Sequence, residues 1–108
     1  MSNQITLLGV GSSSGTPVVG CHCATCVSSD PKNQRTRCSS LITLSNGKNI
    51  LIDASPDLRE QSLREGLKSI DAVLFTHSHA DHCHGIDDLR AFCQINQKQI
   101  PIFANKFA

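Results

Sequence analysis

Four side chains able to bind a metal fall within six positions: His77, His79, Asp81 and His82. They follow almost directly on the apolar run Val73-Leu74-Phe75. Two histidines two residues apart, just past a strand, can project the same way and reach one cation. Asp81 and His82 then fall where the chain turns into the next helix, so they can meet a second cation nearby. Borderline nitrogen ligands with one carboxylate suit Zn, Mn or Fe(II) over Ca or Mg. A pair of such cations is suited to hydrolysing an ester, a phosphoester or an amide. His84 is expected at the solvent or the substrate rim and Cys83 in packing. Gly85 allows a close backbone approach beneath the site.

Cys21, Cys23 and Cys26 form a second cluster, three thiolates on one short loop. Six cysteines in 108 residues is a high content. The start, Met1 to Gln4, has neither a basic region nor a long apolar stretch, so it does not read as a signal peptide. Without an export signal, a disulfide scaffold is the weaker reading. In a reducing compartment such clusters more often bind zinc. A structural zinc takes four ligands. Cys38 could be the fourth within the chain, His22 is expected to point away, and Cys93 reads as core.

The elements that must position these groups are short. Ile5–Val10 reads as a strand, and Gly11–Gly15 as a turn of small residues near the site. That turn has no lysine and opens no helix, so it fails the test for a phosphate-binding loop. Residues 20–38 lack a period and read as an irregular, metal-organised insertion. Ser40–Leu44 and Asn49–Ile52 read as strands of a hairpin joined through Asn46-Gly47. Pro56-Asp57 opens a helix carrying Leu58, Leu63 and Leu67 on or near one face. Asp57 would act as its cap or first-turn acid, with Gly66 near its exit. Residues 72–75 read as a buried strand. A helix from Gly85 to about Gln94 would bury Ile86, Leu89, Ala91, Phe92 and Cys93, and Ile100–Phe103 reads as the next buried strand, followed after Ala104 by the start of a helix. Strands followed by helices predict a layered αβ fold rather than a bundle.

The totals exclude several classes. A net charge of +1 with 18% charged residues calls for neither nucleic acid nor an acidic membrane surface. No apolar run approaches 20 residues, so no spanning helix is expected, and a cytoplasmic location is the default reading. Aromatic residues make up only 4%, lean for a self-sufficient core. The chain therefore reads as the first part of a larger αβ domain. Lys32, Arg35 and Arg37 could attract an anionic substrate or simply face solvent.

Phe75 to His82 followed by Gly85 resembles the signature of the metallo-β-lactamase superfamily of metal-dependent hydrolases. Leu8 to Pro17, the Cys21–Cys26 loop, Arg37 to Ser40, Ile52 to Asp57 and Gly85 to Arg90 are similar to its PhnP-like branch, whose members are phosphodiesterases. The resemblance implies a four-layer αββα sandwich, of which residues 1–108 would be the N-terminal portion. It implies a dinuclear centre of Zn or Mn that hydrolyses a small-molecule phosphodiester. His77 and His79 would bind the first metal, and Asp81 and His82 the second, the last two being the residues nearest the chemistry. Asp53 would support the site from behind by orienting a ligand imidazole, its alternative being a turn-capping role. One structural zinc would sit on Cys21, Cys23 and Cys26, with its fourth ligand a later histidine. The remaining catalytic ligands would come from beyond residue 108, so the 108 residues alone are expected to be inactive and to expose an apolar sheet face. Self-association could bury that face, which leaves a homodimer open. RNA processing, lactone or thioester hydrolysis on the same scaffold, and a non-enzymatic zinc-binding fragment are the alternatives. A nucleic-acid partner is open but not favoured.

Overall fold

The structure is a computed structural model that describes residues 2–106. Five strands form one sheet in the order β1-β2-β3-β4-β5: β1 (Gln4–Gly9), β2 (Ser39–Thr43), β3 (Asn49–Ile52), β4 (Ala72–Leu74) and β5 (Ile102–Phe103). The first two pairings are antiparallel, and β3–β4 and β4–β5 are parallel. The helices are α1 (Leu58–Glu65), α2 (Ala80–Cys83) and α3 (Leu89–Asn96). The helix start expected after Ala104 falls largely outside the described residues. No helix among the described residues is long and apolar enough to cross a membrane.

Local chemistry explains most of these elements. The β2–β3 loop is Ser45-Asn46-Gly47, closed by Gly47 N–H to Leu44 O (2.8 Å) and Leu44 N–H to Lys48 O (2.8 Å). Gly47 takes the left-handed position at φ 87° that such a three-residue hairpin needs. Helix α1 ends where Gly66 turns left-handed at φ 64°. There Leu67 N–H reaches Ser62 O (3.0 Å) and Gly66 N–H reaches Leu63 O (3.3 Å), satisfying carbonyls the helix leaves open.

Register aligns Leu41 with Leu51 and Leu51 with Val73 across the sheet. These residues pack with Leu8, Ala54, Leu58, Ile70, Leu89 and Phe92 into one core between the sheet and the helices. The opposite face carries the rows Ile5–Ile42–Ile50–Ala72 and Leu7–Ser40–Ile52–Leu74–Phe103. No helix covers that face among the described residues, and Ile5 (69%), Leu7 (63%) and Phe103 (56%) are exposed. The chain exposes 7045 Å², where a compact monomer of its mass would expose about 5,900 Å². Sheet plus helices on one side make two layers of the four-layer αββα arrangement, with the open apolar face lying where the next layer belongs.

Several sequence expectations are corrected. Leu63 is 65% exposed, and α1 buries Leu58, Gln61 and Ser62 instead. Residues three and four apart share a helix face, whereas the five-residue step from Leu58 to Leu63 rotates well off it. Ile86 and Ala91 are exposed, leaving Leu89 and Phe92 as the buried positions of that region. A 3₁₀ turn at Ile86–Asp88 interrupts the expected helix and resets its phase. Strand β5 is a short exposed edge rather than a buried strand.

Asp57 stands at the start of α1 but makes no side-chain cap. Its carboxylate is taken by Arg37: Nη2 to Oδ1 at 2.7 Å, Nε to Oδ2 at 2.9 Å and the backbone N–H to Oδ2 at 2.9 Å. This fork holds the Asp57 carboxyl below, and the Arg37 guanidinium above, their ordinary ranges. The carboxyl is depressed in the folded chain, so its contribution is present above the unfolded value and is lost as pH falls through the folded one. Asp57→Asn should therefore cost about 1 kcal/mol at pH 7, a modest figure because solvent reaches the pair. Urea unfolding of both proteins should show that gap closing below about pH 4.

Candidate metal centre

The parallel strands β3 and β4 end side by side, with Ile52 opposite Leu74. Asp53 follows β3 in a left-handed conformation, φ 62°, and its N–H donates to Leu74 O (2.9 Å). Asp is one of the few non-glycine residues found there with any frequency. The turn drives its carboxylate, 4% exposed, between the two strand ends. Oδ1 accepts the Thr76 N–H at 2.8 Å. Oδ2 accepts the Thr76 hydroxyl at 2.7 Å and lies 2.7 Å from His82 Nδ1.

His82 reaches this carboxylate because α2 is pinned to the segment after β3. Ala54 N–H donates to His82 O (2.9 Å), and Gly85 N–H donates to Ala54 O (2.9 Å). The close approach expected at Gly85 is present: a Cβ there would stand 1.8 Å from Ser55 O and 3.0 Å from Ala54 O. His79 flanks the start of helix α2, its carbonyl accepting His82 N–H (2.9 Å), and the Cys83 thiol donates to Ser78 O (3.3 Å).

Asp53, His77 and His82 each bring a ligand atom within 4.8 Å of the others. The His77 ring lies 4.2 Å from that of His82 and 4.6 Å from that of His79, centroid to centroid. Asp81 Oδ2 is 3.3 Å from His82 Nε2. His77, Asp81 and His82 are half-buried, while His79 and His84 are exposed. The structure thus gathers all four residues of the histidine motif at one corner. His79 and Asp81 flank the three-residue cluster rather than joining it.

The donor set fits a divalent cation. With Nδ1 donating to the Asp53 carboxylate, His82 presents Nε2 as an acceptor, and that nitrogen faces a second acceptor, Asp81 Oδ2. Two acceptors at that separation attract only with a cation between them, either a proton or a metal ion.

The cysteine loop is a second donor set. The sulfurs of Cys21, Cys23 and Cys26 lie within 4.8 Å of one another, and among the described residues no further Cys, His, Asp or Glu joins them. Cys38 is thus not brought in as a fourth ligand. Val18 N–H points at Cys26 Sγ (3.4 Å), and Cys21 N–H donates to Val18 O (3.0 Å). Donation from the Cys26 backbone and from the neighbouring thiols lowers Cys23 to about 7. For Cys26 the Val18 N–H favours the thiolate, but its Cys21 and Cys23 neighbours and burial outweigh it, so that thiol moves up.

Of the three cations considered as anion attractors, Lys32 and Arg35 line a separate groove of about 380 Å³ with Leu7, Gly9 and Arg64. Arg37 lies near enough to Asp81 for that carboxylate to help hold its charge. The Gly11 turn is tied to the same segment by Gly11 N–H to Thr36 O (2.7 Å).

Three residues were not singled out as contributors from the sequence. The Thr76 hydroxyl contacts both Asp53 and His77, and its position directly before the first histidine was the available signal. Gln61, fully buried, joins Ser55 Oγ (3.1 Å), Thr36 Oγ1 (3.0 Å) and Arg37 O (2.8 Å). Asp57 entered only as a helix cap, and no local pattern marks its pairing with Arg37.

A sheet whose parallel strands deliver Asp53, His77 and the Asp81-His82 pair to one corner defines a metallo-β-lactamase-like domain. The chain belongs to the β-lactamase superfamily: the family model described as Beta-lactamase superfamily domain matches residues 48–107. It is similar to a crystal structure described as a new diphosphatase from the PhnP family, at 48% identity and a TM-score of 0.91, covering 98% of this chain and 42% of that one. A protein named octanoyltransferase from Porphyromonas gingivalis is 51% identical over 100 residues, covering 93% of this chain and 20% of that protein. Zinc-bound PqqB from Methylobacterium extorquens shares the fold at a TM-score of 0.68 and 23% identity, covering 94% of this chain and 45% of that one. The chain thus spans less than half the length of each of these relatives.

Two outcomes are expected. Gly85→Ala should destabilise the protein by about 1–3 kcal/mol or more, since the blocking atoms are backbone and cannot swing aside; thermal unfolding measures it. In metal-free protein, iodoacetamide should label Cys23 ahead of the other thiols, with a midpoint near pH 7 rather than the ordinary thiol range. Mass-spectrometric mapping across pH reads both the site and the midpoint.

Proposed function

We propose that this segment supplies the first ligands of a dinuclear metal-dependent hydrolase that cleaves small-molecule phosphodiesters. The observation that carries the reading is the Asp53 corner, where one buried carboxylate holds His82 in place and Asp81 faces the far nitrogen of that ring. His77 and His79 would hold one cation, and Asp81 and His82 the other, with imidazole and carboxylate donors suiting Zn or Mn. Such cations, when bound, supply activation of water near neutral pH and neutralisation of charge on phosphoryl oxygens.

The chain's own residues do the positioning. Asp53 fixes imidazole orientation. The Ala54–His82 and Gly85–Ala54 hydrogen bonds hold α2 against the strand ends, so Asp81 and His82 start from a defined place. Arg37, fixed by its fork onto Asp57, adds a positive charge on the Asp81 side, where an anionic substrate would approach. Cys21, Cys23 and Cys26 would hold a structural zinc, completed by a ligand from elsewhere.

The similarity to a PhnP-family diphosphatase supports phosphoryl chemistry and favours one second reading, a diphosphate linkage. Both linkages place a phosphoryl centre between an attacking water and a leaving oxygen, so one corner serves either. The octanoyltransferase name belongs to a protein of which this chain matches 20%, and it carries no acyl-transfer argument here.

Asp81→Ala in the intact, metal-loaded protein is the test. The variant should remain folded and lose metal from one site, with its metal-free midpoint near that of the parent. Its turnover of an aryl phosphodiester should fall by ~10²-fold or more. Undiminished turnover overturns the reading. A diphosphate cleaved far faster than the diester by the parent protein selects the second reading.

A further inference from the structure

Thr76 Oγ1 stands between two groups, 2.7 Å from Asp53 Oδ2 and 2.8 Å from His77 Nδ1. A hydroxyl has one proton to give, and a carboxylate has none. At the Asp53 contact the hydroxyl must therefore donate. What it turns toward His77 is a lone pair, and that contact attracts only when His77 Nδ1 carries a proton and donates it. His82 Nδ1, 2.7 Å from the same carboxylate oxygen, must donate for the same reason.

We infer that Thr76 is a positioning residue: its hydroxyl relays the Asp53 carboxylate to His77 and fixes that ring as the Nδ1–H tautomer, with Nε2 unprotonated. One buried acceptor then sets two imidazoles, His82 directly and His77 through the hydroxyl. The ring nitrogen that is free to bind a cation is decided by the hydrogen bond the other nitrogen makes. Neutral histidine in water favours Nε2–H, so the relay works against the intrinsic preference and leaves the outer nitrogen open. The use of that nitrogen rests on the metal-site reading. The tautomer does not, because it belongs to the metal-free protein.

The geometry offers a clean substitution. Thr76 is also anchored by its backbone N–H to Asp53 Oδ1 (2.8 Å), a bond independent of the side chain. Thr76→Val keeps the shape and that anchor and removes the hydroxyl alone. Thr76→Ser keeps the hydroxyl.

Long-range ¹H–¹⁵N spectra of ¹⁵N-histidine protein, metal-free at pH 8, read directly which ring nitrogens carry a proton. His77 should be Nδ1–H in the parent protein and in Thr76→Ser. In Thr76→Val it should move toward Nε2–H while His82 is unchanged. In the intact protein with its cysteine site already filled, calorimetric titration with zinc should show affinity weakened about 10–100-fold in the Val variant and largely restored in the Ser variant. An Nε2–H His77 in the parent protein overturns the relay without recourse to any variant. A His77 tautomer unmoved by Thr76→Val overturns it as well. A tautomer that switches while zinc affinity stays constant, or while no zinc binds at this corner, supports the relay and overturns the metal-site reading instead.

Discussion

The carboxylate of Asp53 is the constraint on which this structure turns. It is buried at the seam between two parallel strands, where an unpaired charge would be costly. It is tolerated because three donors converge on it: the backbone and hydroxyl of Thr76, and the ring of His82. Each donor belongs to a different structural decision. Thr76 N–H requires β4 to end where it does, the hydroxyl requires threonine at that place, and the ring requires α2 to fold back over the strand ends. Satisfying one buried anion therefore fixes the relative placement of β3, β4 and α2, and with it the histidine motif.

Supports around this point are backbone-based and short-range. The Ala54–His82 and Gly85–Ala54 hydrogen bonds bring two loop segments into near contact, which only a residue without a Cβ allows. Further out, Gln61 and the Arg37–Asp57 fork tie α1 to the segment after the cysteine loop. The cysteine loop holds its three sulfurs together with few contacts beyond Val18.

Much of this was legible in the sequence because it depends on local signals. The spacing of His77, His79, Asp81 and His82, the hairpin glycine at 47 and the helix exit at Gly66 are each decided within a few residues. The layered αβ class follows from the order of elements. What escaped depends on distant partners or on phase. Leu63 faces outward because α1 starts at Leu58 and a five-residue step leaves the buried face. Asp57 looks like a cap until Arg37, 20 positions earlier, takes its carboxylate. The role of Thr76 becomes visible only once the turn at Asp53 has aimed its side chain at both strands' ends.

That turn has a consequence for protein engineering. At φ 62° the backbone of Asp53 sits where glycine is at ease and most residues are strained. Glycine would relax the chain there, but it would also strip the Thr76 and His82 donors of their acceptor, and orphaned donors at a buried site cost more than the relaxed turn gains. Asparagine would also suit the backbone, but its amide would offer a donor to a pocket already full of donors. The residue that best serves the backbone and the residue that best serves the corner are different, and at Asp53 the three converging donors settle a single codon in favour of the corner.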